Sequence, residues 1–331
     1  MMNRRGILRG ALASAAVLAA GGGTGCAARE LLRVAYHPWP GYAPLELARS
    51  LDWWEEAAVQ ALRTGAASAS LQALREGRVA AAALTLDEVI GARHQGLPLR
   101  VMGILDISLG ADQVLARPSH ADPAQWRGAR LGHENNAVGE LMAVAWLQAA
   151  GLQASDVQMV HVPFDRHEAA WHQHEVDLLV TFEPTAGRLR HRGAVPIFDS
   201  AQLPAPWAIV AIVDVLAVHA RFATGRHTPQ WRALLASVWA AQRHLNELPE
   251  DSRYRLAPWL DVPRDEVFAL FAGLRLTGWR DNRDWLVGDE ARLPAVADAL
   301  RDLMRRNGLL SGTEVDTPLV WPDTIGTEAP T

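Results

Sequence analysis

Lysine is absent from the 331-residue chain, and cysteine occurs once, at Cys26. The basic residues are therefore all arginine, and they are scattered without the basic stripe that follows a phosphate backbone, which sets a nucleic-acid role aside. Missing lysine beside abundant arginine and alanine reads as genomic base composition and carries no functional weight. A single cysteine excludes an internal disulfide and any cysteine-rich metal motif. After the first thirty positions there is no long run of lipid-facing residues. What is present is ordinary for a folded protein: 49% hydrophobic and 21% charged residues with a net charge of −5. A length of 331 residues suits two lobes of about 100 to 150 residues each.

The first residues carry an address. Arg4 and Arg5 form a basic region ahead of the apolar, alanine-rich stretch Ile7 to Ala20, the layout of an export signal. Gly23-Thr24-Gly25-Cys26 resembles the lipobox of bacterial lipoproteins, in which the cysteine thiol is acylated and becomes the mature N-terminus; Gly23 departs from the larger apolar residue usual there. Cys26 is accordingly the expected lipidation site. Asn3-Arg4-Arg5-Gly6-Ile7-Leu8-Arg9 also looks like a twin-arginine signal, with an ordinary secretory n-region as the alternative.

From Leu31 onward, short β-branched runs alternate with helix-period segments, the pattern of βα units around a mainly parallel sheet. Strands are expected at Leu32 to Tyr36, Val59 to Arg63, Val79 to Thr85 and Leu99 to Ile107, with helices near Pro44 to Trp54, Ser70 to Glu76 and Leu86 to His94. A second series has strands near Ala129 to Gly132, Val157 to Val162, Val176 to Phe182 and Val195 to Phe198. Its helices fall near Ala137 to Ala150, His167 to His174 and Thr185 to Arg190. From Thr228-Pro229, an N-cap with proline following, the pattern is helical to Leu310, and no further strand is expected. Two similar segments, Ala111 to Arg117 and Val213 to His219, read as crossover strands joining two lobes, or as two unrelated strands of one larger sheet. The division is 1–26 export signal, 27–112 first lobe, 113–212 inserted second lobe, 213–310 return to the first lobe, and 311–331 a tail read as a packed or loose strap without chemistry.

Ligands in open α/β sheets gather at the carboxyl ends of strands. His37-Pro38-Trp39-Pro40-Gly41-Tyr42 follows the first strand, and Trp39 and Tyr42 suit a flat or apolar ligand, or a cap on the core. Gly65 to Ser70 is a small-residue loop in which Ser68 and Ser70 border a helix start, although a plain serine N-cap explains Ser70 equally well. Thr85-Leu86-Asp87-Glu88 has capping-box spacing, leaving Asp87 for a ligand. Asp106 and Ser108, Glu134 with Asn135 and Asn136, and Phe182-Glu183-Pro184 follow later strands. Acidic residues thus recur at the expected cleft, with Arg166 as one counter-charge, and favour an amine-rich or cationic ligand over an anion. Some of these carboxylates could instead serve helix N-termini.

Two other chemistries are weighed. His161, His167, His172 and His174 crowd one segment, but their spacing matches no standard zinc motif, so no metal is expected. Paired carboxylates could hydrolyse a glycoside, yet sequence spacing does not establish the required separation. No nucleophile elbow, phosphate loop or nicotinamide fingerprint occurs, so catalytic residues and cofactors are expected to be none.

Four segments together resemble the nitrate/sulfonate/taurine-type periplasmic substrate-binding proteins of ABC importers. They are Tyr36 to Tyr42, Gly65 to Gly77, Ala82 to Glu88, and Val176-Asp177-Leu178-Leu179-Val180-Thr181-Phe182-Glu183-Pro184. The resemblance covers nearly the whole mature chain. It implies an α/β, type II-like clamshell with the second lobe inserted through two crossover strands. Trp39, Tyr42, Thr85, Asp87, Glu134 and Glu183 are carried over as cleft residues. The implied partners are a small-molecule ligand and an ABC permease with its ATPase, for a monomeric, periplasmic protein anchored through Cys26. Relatives bind sulfonates, nitrate, bicarbonate or thiamine-related pyrimidines, so an anion-binding protein and a non-transport sensor are alternatives. A thiamine-pyrimidine synthase shares the fold, but its cysteine-rich iron motif is missing here.

Overall fold

The computed structural model describes residues 30–134, 137–204 and 212–329. Cys26, Asn135 and Asn136 lie outside them. The alternation of apolar runs and helical segments produces two mixed sheets, each with its own helices.

The first lobe opens with β1 (Leu32–Tyr36), α1 (Ala43–Ser50), β2 (Val59–Arg63), α2 (Ala67–Arg75), β3 (Ala81–Thr85), α3 (Leu86–His94) and β4 (Leu99–Ser108). Strand β3 is buried along its whole length, as expected for a continuous apolar run covered on both faces. The second lobe contains β5 (Gln113–Ala116), β6 (Arg130–His133), α4 (Ala137–Ala149), β7 (Gln158–His161), α5 (His167–His172), β8 (Leu178–Thr181), α6 (Thr185–His191) and β9 (Val195–Asp199). The chain then returns through β10 (Ile212–His219). Helices α7 (Thr228–Glu247), α8 (Pro249–Leu260), α9 (Trp279–Leu286) and α10 (Arg292–Arg306) complete the first lobe. In α7, Trp231, Leu234, Leu235, Val238 and Leu245 recur at helical spacing and are buried.

With β11 (Leu274–Leu276), strand order in the first sheet is β11-β4-β10-β3-β1-β2, and in the second β7-β6-β8-β5-β9. β1, β2 and β3 are parallel, whereas β10 runs antiparallel between β3 and β4. In the second sheet β5 is antiparallel to both β8 and β9. The second lobe is therefore inserted into the first. The two segments read as crossover strands do not themselves bridge the lobes: β5 belongs wholly to the second sheet and β10 to the first. The first crossing is the short connection 109–112, pinned where Ser108 and Ser200 share a 2.8 Å hydroxyl hydrogen bond.

One feature departs from the sequence reading, and one alternative left open there is decided. A short strand, β11 (Leu274–Leu276), pairs antiparallel with Ile107 and its neighbours on the outer edge of β4, inside a region expected to be purely helical. Three residues are too few to show an alternating pattern, so nothing local announces the strand. The tail is a packed strap: Val320 bridges to Val101 on that same edge, and Trp321 is 3% exposed. Arg93 ties it down, donating to Leu99 O and Thr317 O at 2.6 Å each and pairing with Glu314 at 2.7 Å. Strap and β11 together cover an edge that would otherwise offer unpaired backbone groups.

Candidate functional site

The carboxyl ends of β1 and β3 and the start of β10 converge on the second lobe around a narrow cavity of about 20 Å³. From the first lobe it is lined by His37, Trp39, Tyr42, Ala67, Thr85, Glu88, Ile212 and Asp214; Asp112 comes from the connection, and Glu134, Val138 and Phe182 from the second lobe. A further small hollow of about 10 Å³ shares Asp112, Glu134 and Phe182 and reaches His167.

The aromatic wall is built by the prolyl turn after β1. Pro38 and Pro40 restrict the backbone, and the Pro40–Tyr42 turn is closed by Tyr42 N–H donating to Trp39 O at 2.9 Å. His37 lies edge-on to Tyr42, centroids 5.2 Å apart. Across the cleft Phe182 stacks on Phe164 at 4.2 Å with 6° between the planes. Burial drives the His37 pKa down to about 4, so its ring is neutral, and Nδ1 has no hydrogen-bond partner. His167 is also held near 4 by desolvation, with Nδ1 against Thr181 Oγ1 at 3.0 Å and Nε2 against Val162 O at 3.1 Å.

The remaining wall is acidic. Asp112 and Glu88 are buried, and loss of water pushes them up to about 7 and about 8. Glu88 also completes the capping box of α3, accepting Thr85 N–H at 3.0 Å. Asp214 accepts the Tyr42 hydroxyl hydrogen bond, and burial followed by the neighbouring Asp106 raises its pKa strongly. Glu134 Oε1 accepts Phe164 N–H at 3.2 Å. Among the described residues no arginine pairs with Asp87, Asp106, Asp112 or Asp214.

Of the residues expected from sequence, Trp39, Tyr42, Thr85, Glu134 and Phe182 line the cavity. Others do not. Ser68 is exposed and borders an outer groove between α2, α3 and α10. Ser70 is fully buried and bonded to Thr64 Oγ1 at 2.7 Å, a core contact rather than a ligand contact. Asp87 is buried beside the cavity, raised to about 6 by desolvation, but is not in its lining. Asp106 sits one layer deeper, behind Trp39. Glu183 points away, accepting Gly187 N–H at 2.8 Å and pairing with Arg190 at 2.7 Å. Arg166 is half-exposed against Glu175 at 3.6 Å and offsets nothing in the cleft. Asn136 lies outside the described residues.

Sequence reasoning passed over His37, Asp112 and Asp214 as site residues. The signal was there: Asp214 interrupts the apolar run Ile212-Val213-Asp214-Val215-Leu216, and a charge in a buried strand demands a reason.

Residues 27–261, well over half the chain, match the profile of the NMT1-like family. The chain belongs to the NMT1-like family. This NMT1-like protein has the two-lobed fold of periplasmic sulfonate- and nitrate-type binding proteins. It is similar to the alkanesulfonate-binding protein of Xanthomonas axonopodis pv. citri bound to MOPS, with TM-score 0.75, 18% identity, and 89% of this chain and 100% of that one covered. The aliphatic sulphonate binding protein of Escherichia coli aligns with TM-score 0.71 and 18% identity over 88% of this chain and 97% of that one. A desulfurization enzyme shares the fold as well, at TM-score 0.62 and 16% identity, covering 89% of this chain and 97% of the enzyme. No curated protein sequence matches the chain. Among the described residues, no helix is long and apolar enough to cross a membrane.

Proposed function

We propose that this NMT1-like protein is the exported, monomeric solute-binding component of an ABC importer, held at the membrane through acylated Cys26 and acting without catalysis. It captures an organic cation rich in N–H donors, amine- or pyrimidine-like, between the lobes. Periplasmic neighbours and the leader sequence support the compartment and the transport role. The observation that carries the ligand class is the wall itself, in which Asp112 and Asp214 are buried with no arginine partner among the described residues, beside His37, Trp39, Tyr42 and Phe182. Buried carboxylates without counter-charge are costly, and a bound cation removes that cost. A cation about 4 Å from one ionised carboxylate gains about 4 kcal/mol at an effective dielectric near 20, and an anion loses a similar amount. The aromatic faces add cation–π attraction for the same ligand.

A thermal-shift screen of residues 27–331 tests this reading with agmatine, 4-aminopyrimidine, MOPS, nitrate and bicarbonate, because a ligand that binds the folded state raises Tm. Stabilisation by agmatine or 4-aminopyrimidine, lost in Asp112→Asn, is expected. Stabilisation by MOPS or nitrate alone sinks the cation reading and favours the second one, a sulfonate- or nitrate-type binding protein, for which the MOPS-bound Xanthomonas relative speaks.

A further inference from the structure

Asp106 and Asp214 face each other in register on the antiparallel pair β4–β10. Their side chains are 0% and 2% exposed as residues. Neither oxygen of Asp106 completes a well-aligned hydrogen bond, and Asp214 Oδ2 has none. A third buried polar group points at them: Trp39, 4% exposed, has its Nε1 unpartnered and shares with the Asp106 carboxyl the small space over Gly41, where any Cβ would overlap both. Two carboxylates in contact cannot both be ionised in a dry site, and two neutral acids would leave Tyr42 and Trp39 donating to weak acceptors.

We infer that Asp106 and Asp214 hold one shared proton, so that the pair presents a single negative charge to the ligand cavity through Asp214 and loses that charge when it takes a second proton. The ligand consequence rests on the cation-binding reading above; the proton sharing does not. Every group that faces the pair fits. The Tyr42 hydroxyl donates to Asp214, Trp39 Nε1 faces Asp106, and Glu88 from α3 and Asp112 from the interlobe connection add negative potential that resists a second ionisation. Opposite the pair, β3 presents Thr85 and β11 presents Leu276. Among the described residues no arginine or histidine bonds to either acid, so nothing cationic releases the shared proton. The first proton is therefore held through neutral pH, burial keeps Asp106 up at about 8 and Asp214 well above the ordinary carboxylate range, and the two steps belong to the pair.

The test uses residues 27–331 labelled with [γ-13C]aspartate, without ligand. Two carboxyl resonances should titrate together in two well-separated steps; in Asp106→Asn and in Asp214→Asn the remaining member should titrate in one step, while Asp87→Asn leaves both steps in place. The wild-type titration alone decides should a variant fail to fold. Two resonances moving independently, or both complete in the ordinary carboxylate range, overturn the inference. Agmatine titrated in parallel separates the two readings: a shared-proton signature without agmatine binding keeps the pair and sinks the cation assignment. With binding, agmatine affinity should fall about tenfold per pH unit below the second step in wild type and follow a displaced profile in Asp106→Asn.

Discussion

Phe182 of the second lobe stands edge-on to Trp39 of the first, ring centroids 5.2 Å apart and planes at 89°. The contact belongs to the closed clamshell, because opening the cleft separates the two rings. Such pairs contribute about 0.5–1.5 kcal/mol beyond area burial. Phe182→Ala should therefore weaken ligand binding by roughly two- to tenfold through loss of the closed state, and small-angle scattering should show a larger radius of gyration. An unchanged radius with weaker binding would make Phe182 a ligand contact alone.

The acidic wall has a pH signature in the protein without ligand. Glu88 and Asp112 have folded-state pKa values raised to about 8 and about 7, so the folded chain holds protons that the unfolded chain releases. Stability from such groups is lost as pH rises toward the folded values. His37 and His167, both lowered to about 4, act in the opposite direction, but only below about 6.5, where the unfolded imidazole begins to charge. Between about pH 6.5 and 8 the melting temperature should fall, and Glu88→Gln should flatten that fall. A melting temperature that rises over this window would contradict the burial of ionisable acids.

Ser68 and Ser70 separate a surface position from a core one. Ser70→Ala leaves Thr64 Oγ1 without its partner and should cost about 1 kcal/mol of stability with ligand affinity unchanged. Ser68→Ala should alter neither. Chemical denaturation and binding on the same samples check both.

Much of the fold was legible because period-2 and period-3.6 patterns are local properties of the chain. β1 and β2 occupy Leu32–Tyr36 and Val59–Arg63, and α3 occupies Leu86–His94, all as expected from sequence. β11 was not legible, since its pairing with β4 depends on residues more than 150 positions away in sequence. The cavity was half legible: the rule of strand carboxyl ends finds Thr85 and Glu134 but cannot tell which side of a strand end a side chain takes. Glu183 follows β8 as the rule requires, yet turns back onto Gly187 and Arg190. Asp214 violates the rule, lying near the start of β10, because β10 runs antiparallel and brings its amino end to the cleft.

Glu183 and Asp112 should accordingly part company under mutation. Glu183→Gln removes the charge facing Arg190 and should lower Tm without a matching loss of ligand affinity. Asp112→Asn removes a cavity carboxyl and should weaken a cationic ligand at least tenfold, while sparing or raising Tm because a buried ionisable group is gone. Calorimetric binding and thermal melting of both variants read the difference. Equal affinity losses would return Glu183 to the site.

Arg93 anchors the strap from within the first lobe, its side chain 3% exposed. Arg93→Ala strands the carbonyls of Leu99 and Thr317 and the Glu314 carboxylate, and should destabilise by about 3–5 kcal/mol. Proteolysis should then cut the strap near residue 311 before the rest of the chain. Simultaneous loss of strap and core would mean that the strap is part of one cooperative unit.

The position of β10 has a consequence for biosynthesis. β3 and β4 are not neighbours; each bonds to β10, which is made only after the entire second lobe. A nascent chain that has emerged as far as residue 200 carries a first sheet with a gap at its centre and two open apolar edges. Such edges invite pairing with other chains until β10 arrives. Translation pausing or a holding chaperone during those residues should raise the yield of native protein, whereas the same help applied after residue 219 comes too late to matter.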